Sequence, residues 1–286
     1  MEIIIGKTSG FCAGVANAVN GAINELEKNN ENLYCLGELV HNGDVTKSLE
    51  EKGLIFIENI EEAKGKTIIR AHGIAKKVYE KAKNLDIEIK DFTCPKVLKI
   101  HNIAEEYANK GYYIFLVGEK KHPETIGTYS FCGINSEVIE NIENLEPAFE
   151  NLQKSNMKKL LVLVQTTYSV QRFEDICKEI NTKVSKEIEV EIKNTICMAT
   201  ELRQKETAEL SKNVDAMLII GGKNSSNTRK LYEVASKKCK DVFLVENKNE
   251  IDLSKFENFN KIGIMAGAST PKNVIEEAHA YLERID

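Results

Sequence analysis

The chain has 286 residues, 42% hydrophobic and 29% charged, with a net charge of −5 at pH 7. That length predicts two or three units sharing a core, and the composition is that of an ordinary folded protein. The acidic balance excludes a nonspecific nucleic-acid binder while leaving room for a local anion pocket, and the longest apolar runs, "YYIFLVG", "LLVLV" and "AMLII", are too short to span a bilayer.

In chain order, "IIIGKTSGFCAGV" (Ile3 to Val15) reads as a strand and turn carrying Cys12. "NLYCLG" reads as a strand closing on Gly37, with His41 four positions on, and "TIIRA" as a strand leading through His72 into a helix. "EIKDFTCPKV" reads as a strand ending at Cys94, where Pro95 opens the amphipathic run "VLKIHNIAEEYANK". "YYIFLVG" closes on Gly118 with His122 four positions later, and "LLVLVQ" leads through Thr166 into a helix. "EIKNTICMAT" repeats the cysteine joint at Cys197 and opens "TELRQKETAELSKN", which reads as another amphipathic helix. "AMLIIGG" reaches Gly221, with Ser225 four positions on, and "IGIMAG" leads through Ser269 into "NVIEEAHAYLERI".

These landmarks form a threefold repeat. Cys94 to Cys197, Gly118 to Gly221, His122 to Ser225 and Thr166 to Ser269 each span 103 positions. The first unit is shorter between its second and third landmarks, with 31 positions from His41 to His72 against 44 from His122 to Thr166. Alternating strands and helices with Gly-rich strand ends predict an α/β fold of three domains related by pseudo-threefold symmetry, with parallel sheets covered by helices. The expected divisions are 13–94, 95–194 and 195–286, the last completed by the N-terminal strand 1–12. Ligands of such sheets bind beyond the carboxyl ends of the strands. All nine landmarks lie there, so three units meeting around one centre would gather them.

The start, "MEIIIGKTSG", has no charged segment followed by an apolar stretch. A cytoplasmic location is expected, where the seven cysteines, an odd number, stay reduced. Cys12, Cys94 and Cys197 sit where a helix dipole favours the thiolate, and three such thiolates point to a metal site. No C-x2-C spacing is present, and a three-cysteine zinc site would want a fourth ligand. An iron–sulfur cube with three cysteines keeps one iron open. The cube is the favoured reading, with three-thiolate zinc as a rival. Cys35, Cys132, Cys177 and Cys239 do not recur and read as core residues.

His41, His72 and His122, their counterparts Thr166, Ser225 and Ser269, and the amide of Asn227 form a polar set beside Gly-rich turns. Neutral donors and helix N-termini with little lysine or arginine suit a phosphate or diphosphate. Glu124 is the evident general acid among the landmarks. His101 and His279 fall mid-helix and read as packing or surface residues.

In order from Gly10 to Pro271, "GFCAGV", "ELVHN", "RAHG", "DFTCP", "HPE", "QTT", "TICMAT", "NSSNT" and "AGASTP" resemble the 4-hydroxy-3-methylbut-2-enyl diphosphate reductase (LytB/IspH) family. The resemblance implies a cloverleaf of three α/β domains around a central iron–sulfur site. It implies a 4Fe-4S cluster on Cys12, Cys94 and Cys197 with one open iron, which is lost on oxygen exposure to leave 3Fe-4S. His41, His72, His122, Ser225, Ser226, Asn227 and Ser269 would bind the diphosphate. Thr166 and Thr167 of "QTT" would contact the substrate, with Thr166 orienting both its hydroxyl and Glu124. Glu124, His122 and Thr166 would be the catalytic set, Glu124 delivering protons. The implied reaction is reductive dehydroxylation of (E)-4-hydroxy-3-methylbut-2-enyl diphosphate to isopentenyl and dimethylallyl diphosphate, the last step of the non-mevalonate isoprenoid route. With no GxGxxG fingerprint in the chain, electrons would come from a separate ferredoxin or flavodoxin. An open-iron hydro-lyase and an iron–sulfur redox sensor are the alternatives.

Overall fold

In the computed structural model, which describes residues 1–28 and 32–285, strands and helices alternate along the chain. It opens with β1 (Glu2–Ile5), α1 (Ala13–Lys28), β2 (Leu33–Leu36), α2 (Gly43–Glu51), β3 (Leu54–Ile57), β4 (Thr67–Ile69) and α3 (Lys76–Asn84). Next come β5 (Ile89–Asp91), α4 (Pro95–Asn109), β6 (Tyr113–Val117), α5 (Pro123–Tyr129), β7 (Ser136–Ile139), α6 (Leu145–Lys154), β8 (Lys159–Val164) and α7 (Val170–Lys183). The last stretch holds β9 (Glu189–Ile192), α8 (Met198–Leu210), β10 (Ala216–Ile220), α9 (Ser226–Ser236), β11 (Asp241–Val245), β12 (Lys261–Ala266) and α10 (Lys272–Leu282). Among the described residues no helix is long and apolar enough to cross a membrane.

The strands make three four-stranded sheets, ordered β1-β12-β10-β11, β3-β2-β4-β5 and β7-β6-β8-β9. Every pairing is parallel. In each sheet the strand that leads to a cysteine (β1, β5 or β9) lies on one edge, so the sequence repeat reappears as one topology used three times. β1 comes from the start of the chain and pairs with β12 near its end, Glu2 opposite Lys261 and Ile5 opposite Ile264. The α/β architecture with parallel sheets is as the sequence predicts. The opposite edges, β11, β3 and β7, are not distinguished in the sequence. β7 reads Ser-Glu-Val-Ile, whereas β3 reads Leu-Ile-Phe-Ile and β11 Asp-Val-Phe-Leu-Val.

The described residues gather into two compact units. One comprises 1–23, 40–53 and 198–286 and holds the sheet β1-β12-β10-β11. Along β10, alternate side chains face opposite ways. Leu218 and Ile220 pack with Ile262, Ile264 and the α10 residues Val274, Ile275 and Ala278. Met217 and Ile219 pack with Met265 and the α9 residues Leu231 and Ala235. The other unit comprises 24–39 and 54–197 and holds the remaining two sheets. There Phe115, Val117, Val162 and Val164 pack against Leu145, Ala148 and Leu152 of α6 and Phe173 and Ile176 of α7. Ile114, Leu116, Leu161 and Leu163 face Ile100 and Ala104 of α4. Sheet strands buried on both sides explain the unbroken apolar runs of β6, β8 and β10.

One helix departs from expectation. α8 reads as amphipathic, yet the stripe it buries is Thr200, Arg203, Gln204 and Thr207. Its Met198 and Leu202 are 70% and 50% exposed. A polar stripe is buried only where other polar groups meet it, and the loop after β1 supplies them.

Candidate active site

Each recurring cysteine stands immediately before a helix. Cys12 precedes α1, Cys94 is the N-cap of α4 with Pro95 at its first position, and Cys197 precedes α8. Each cysteine amide also donates to a carbonyl at the end of a neighbouring strand: Cys12 to Ala268 at 3.2 Å, Cys94 to Ala71 at 3.0 Å and Cys197 to Thr166 at 3.0 Å. These acceptors are the landmarks Ser269, His72 and Thr166 or the residues just before them. All three cysteines lie outside any disulfide, are partly exposed and stand at helix N-termini. The other four behave as core residues. Burial pushes the thiols of Cys35 and Cys132 up to about 12 and that of Cys177 to about 11, and raises Cys239 as well. Cys35, Cys132 and Cys239 are buried and Cys177 of α7 packs on the core, which leaves the three recurring cysteines as the partly exposed ones at helix starts. That donor set fits a cluster held by three cysteines.

The candidate proton donor, Glu124, lies in the unit 24–39 and 54–197. His122 caps α5, its Nδ1 accepting from the Glu124 amide at 3.2 Å, and Pro123 supplies the preset first helical position. Glu124 is 2% exposed. Its Oε1 accepts from the Thr166 amide and its Oε2 from the Thr166 hydroxyl. Burial lifts its pKa from 4.5 to about 7, against the lowering effect of both Thr166 hydrogen bonds. A carboxyl poised there can give up a proton near neutrality. Thr166 therefore touches Glu124 through its amide and hydroxyl and Cys197 through its carbonyl.

His72 and His122 meet edge to face in the same unit, with ring centroids 5.4 Å apart and planes at 81°. The Thr167 hydroxyl accepts from Gln165 Nε2 at 2.7 Å. Gln165 Oε1 accepts from the Glu119 amide and the Thr125 hydroxyl, which ties the first turn of α5 to the Thr166 loop. Gln165 carries no sequence signal beyond its place in "QTT". His101 is buried and stacked on Phe131 at 4.4 Å, and His279 is half-buried beside Glu283, which fits their reading as packing or surface residues.

The anion-binding candidates of the other unit cluster around α9. Ser225 caps that helix, its side chain accepting from the Thr228 amide. Ser226 and Asn227 open its first turn, both buried. Asn227 is 3% exposed, and neither its Nδ2 nor its Oδ1 has a hydrogen-bond partner. A buried amide with no internal partner, in a helix first turn, suits an external anion. The Ser269 hydroxyl donates to the His41 carbonyl at 3.0 Å. The turn before α9 approaches the same carbonyl so closely that a Cβ on Gly222 would lie 2.4 Å from it. Gly222 is there because no side chain fits. Cys12 joins this group through Ala268, the neighbour of Ser269. Sequence reading passes over Arg203 and Glu206 of α8, which grip the loop leading to Cys12.

Comparison with known proteins bears on this arrangement. A family model described as LytB protein matches residues 3–283. The 4-hydroxy-3-methylbut-2-enyl diphosphate reductase of Caldanaerobacter subterraneus is 44% identical over 284 residues, covering 97% of this chain and 95% of that protein. The protein of the same name from Clostridioides difficile is 40% identical over 290 residues, covering 100% of each. The solved structure of the E-1-hydroxy-2-methyl-but-2-enyl-4-diphosphate reductase from Plasmodium falciparum superposes with a TM-score of 0.88 at 30% identity, covering 99% of this chain and 87% of that one. With the repeat, the sheet order and the motifs all accounted for, the chain belongs to the LytB family of 4-hydroxy-3-methylbut-2-enyl diphosphate reductases.

Proposed function

We propose that the chain reduces (E)-4-hydroxy-3-methylbut-2-enyl diphosphate to isopentenyl and dimethylallyl diphosphate, the last step of the non-mevalonate isoprenoid route. The observation that carries this reading is the buried Glu124 carboxyl gripped by Thr166, whose carbonyl also holds the Cys197 amide. One residue thus links the proton donor to a thiol joint.

Cys12, Cys94 and Cys197 would hold a 4Fe-4S cluster, with one iron left free of protein ligands and prone to loss in oxygen. When bound, the cluster supplies electrons and a Lewis-acidic iron to the reaction. The chain's residues do the rest. The diphosphate is held by the first turn of α9, through Ser225, Ser226 and Asn227, with Ser269, His41, His72 and His122. These donors recognise phosphate oxygens without a dense positive charge. Thr166, with Thr167 beside it, orients the allylic hydroxyl and the Glu124 proton. Glu124 protonates that hydroxyl, which leaves as water, and His122 fixes the first turn of α5 that carries the acid. A second proton ends on either allylic carbon. Substrate, two electrons and two protons therefore give one isoprenoid diphosphate and one water.

The electrons come from a separate ferredoxin or flavodoxin, and the reaction runs in the cytoplasm, where thiols stay reduced. The three sheets support a division into domains 13–94, 95–194 and 195–286 with strand 1–12. The test is an anaerobic assay with reduced viologen. Viologen oxidation in step with isopentenyl and dimethylallyl diphosphate is expected. A dehydrated product without electron consumption would replace this reading with a hydro-lyase, and an intact cluster without turnover would replace it with a redox sensor.

A further inference from the structure

The loop between β1 and Cys12 is held along its whole length, mostly from one helix. The Lys7 and Thr8 amides donate to Glu206 Oε1 and Oε2 at 2.7 and 2.8 Å, and the Thr8 hydroxyl donates to Oε2 as well. Arg203 Nε donates to the Thr8 carbonyl at 2.8 Å, and its terminal nitrogen to the Gly10 carbonyl at 2.9 Å. The acid takes the loop's donors and the guanidinium takes its acceptors. The two side chains are three residues apart on α8 and so share one face. Arg203 is 3% exposed, and the loop carbonyls meet its Nε and one of its terminal nitrogens, which offsets part of the cost of burying the charge. Strand β12 fastens the rest, the Ala266 amide donating to Ser9 Oγ and the Cys12 amide to the Ala268 carbonyl. Gly10, gripped by Arg203, has φ of +98°, a conformation that side chains strain to adopt. This pattern explains why α8 buries Arg203.

We infer that Arg203 and Glu206 are positioning residues that fix the backbone of the Cys12 loop and thereby the placement of the Cys12 thiol. The inference rests on the reading of Cys12 as a cluster ligand. Neither side chain supplies sulfur or protons. They pre-set a loop that would otherwise have to be ordered whenever the cluster is assembled.

The experiment measures iodoacetamide alkylation of Cys12 and of Cys94 in the same folded, anaerobic, cluster-free full chain, site by site by mass spectrometry. Cys94 is the internal control, since its amide donates to the Ala71 carbonyl and its own carbonyl accepts from the Val97 and Leu98 amides. Glu206→Ala and Arg203→Ala are expected to raise the Cys12 to Cys94 rate ratio about tenfold, the mark of local loop opening. Glu206→Gln should restore only part of the protection, because it keeps one acceptor oxygen while its NH2 cannot accept from the second loop amide, and Arg203→Lys should likewise restore only part because an ammonium lacks the two-pronged fork. Thr8→Val, which removes one hydroxyl and leaves α8 intact, should shift the ratio in the same direction by about threefold and keeps the test open if the alanine variants fail to fold. An unchanged ratio in the folded variants, or a raised ratio that Glu206→Gln does not lower, overturns the inference. Iron content after reconstitution of Cys12→Ser judges the ligand reading separately: full retention would remove Cys12 from the cluster while leaving the alkylation result to decide on the loop.

Discussion

Thr166 meets Glu124 through two hydrogen bonds of 2.7 Å each, amide to Oε1 and hydroxyl to Oε2. A threonine hydroxyl can donate to a carboxylate or accept from a carboxylic acid, so the second contact survives when Glu124 takes up its proton. Thr166→Val deletes that contact and the part of the stabilisation it gives the charged form. The Glu124 pKa, about 7 with both bonds in place, should rise further. The alkaline limb of kcat against pH should therefore move to higher pH, while the loss of aim lowers the maximum by about tenfold. Glu124→Gln should cost about 10²- to 10⁴-fold with cluster absorbance retained. Rates in the reduced-viologen assay across the pH range check both, and an unmoved limb in Thr166→Val would separate the threonine from the acid.

The raised pKa also has a folding consequence. Unfolded, Glu124 titrates at 4.5; folded, at about 7. Between those values the folded protein keeps a proton that the unfolded chain has released, so stability falls as pH rises. The penalty is absent below 4.5 and complete above about 7, where it reaches about 3 kcal/mol at most. Cluster-free Glu124→Gln should accordingly gain stability over the parent at pH 8 and little at pH 4, read from urea midpoints. An equal difference at the two pH values would contradict the assignment.

A third prediction separates ligands from core thiols. Cys94→Ser should lose cluster iron while keeping its melting temperature, because its thiol is partly exposed and fills no core. Cys132→Ser should do the reverse. It keeps full iron and loses about 1–3 kcal/mol, since a hydroxyl replaces a wholly buried thiol beside Ile100 and Leu161. Iron analysis with thermal melts decides between them, and iron loss from Cys132→Ser would show that the partition of cysteines is wrong.

What the sequence makes legible here follows from physics. β6, β8 and β10 are buried on both faces, so burial is written as unbroken apolar runs, and Pro95 at the first helical position marks the start of α4. Most candidate residues stand out because the repeat places them at equivalent strand ends. β7 does not stand out because only two of its four residues are apolar, and β3 and β11 are short apolar runs that carry no landmark of the repeat. The inside of α8 is illegible for a different reason. Arg203 and Glu206 bond to backbone groups of Lys7, Thr8 and Gly10, nearly two hundred residues away. Main-chain partners leave no side-chain signature in the distant segment, and a buried polar stripe with an exposed Met198 and Leu202 inverts the rule by which a helix face is assigned.

Asn227 offers the last test, and its logic turns on what the amide lacks. Truncating a buried asparagine usually strands its partners and costs stability. The Asn227 amide has no internal partner at either atom, so Asn227→Ala breaks no hydrogen bond in the ligand-free chain and removes a desolvated polar group. The variant should melt at or above the parent temperature. On the proposed reading the same amide donates to the diphosphate from the first turn of α9, and its loss should raise KM about tenfold to hundredfold with a smaller effect on kcat. Asn227→Asp should bind diphosphate worse still, because it brings a like charge to a buried position. Melting of the cluster-free protein and KM of the loaded enzyme are measured on the same preparations. A large fall in melting temperature with KM unchanged would mean that Asn227 serves the helix and not the anion.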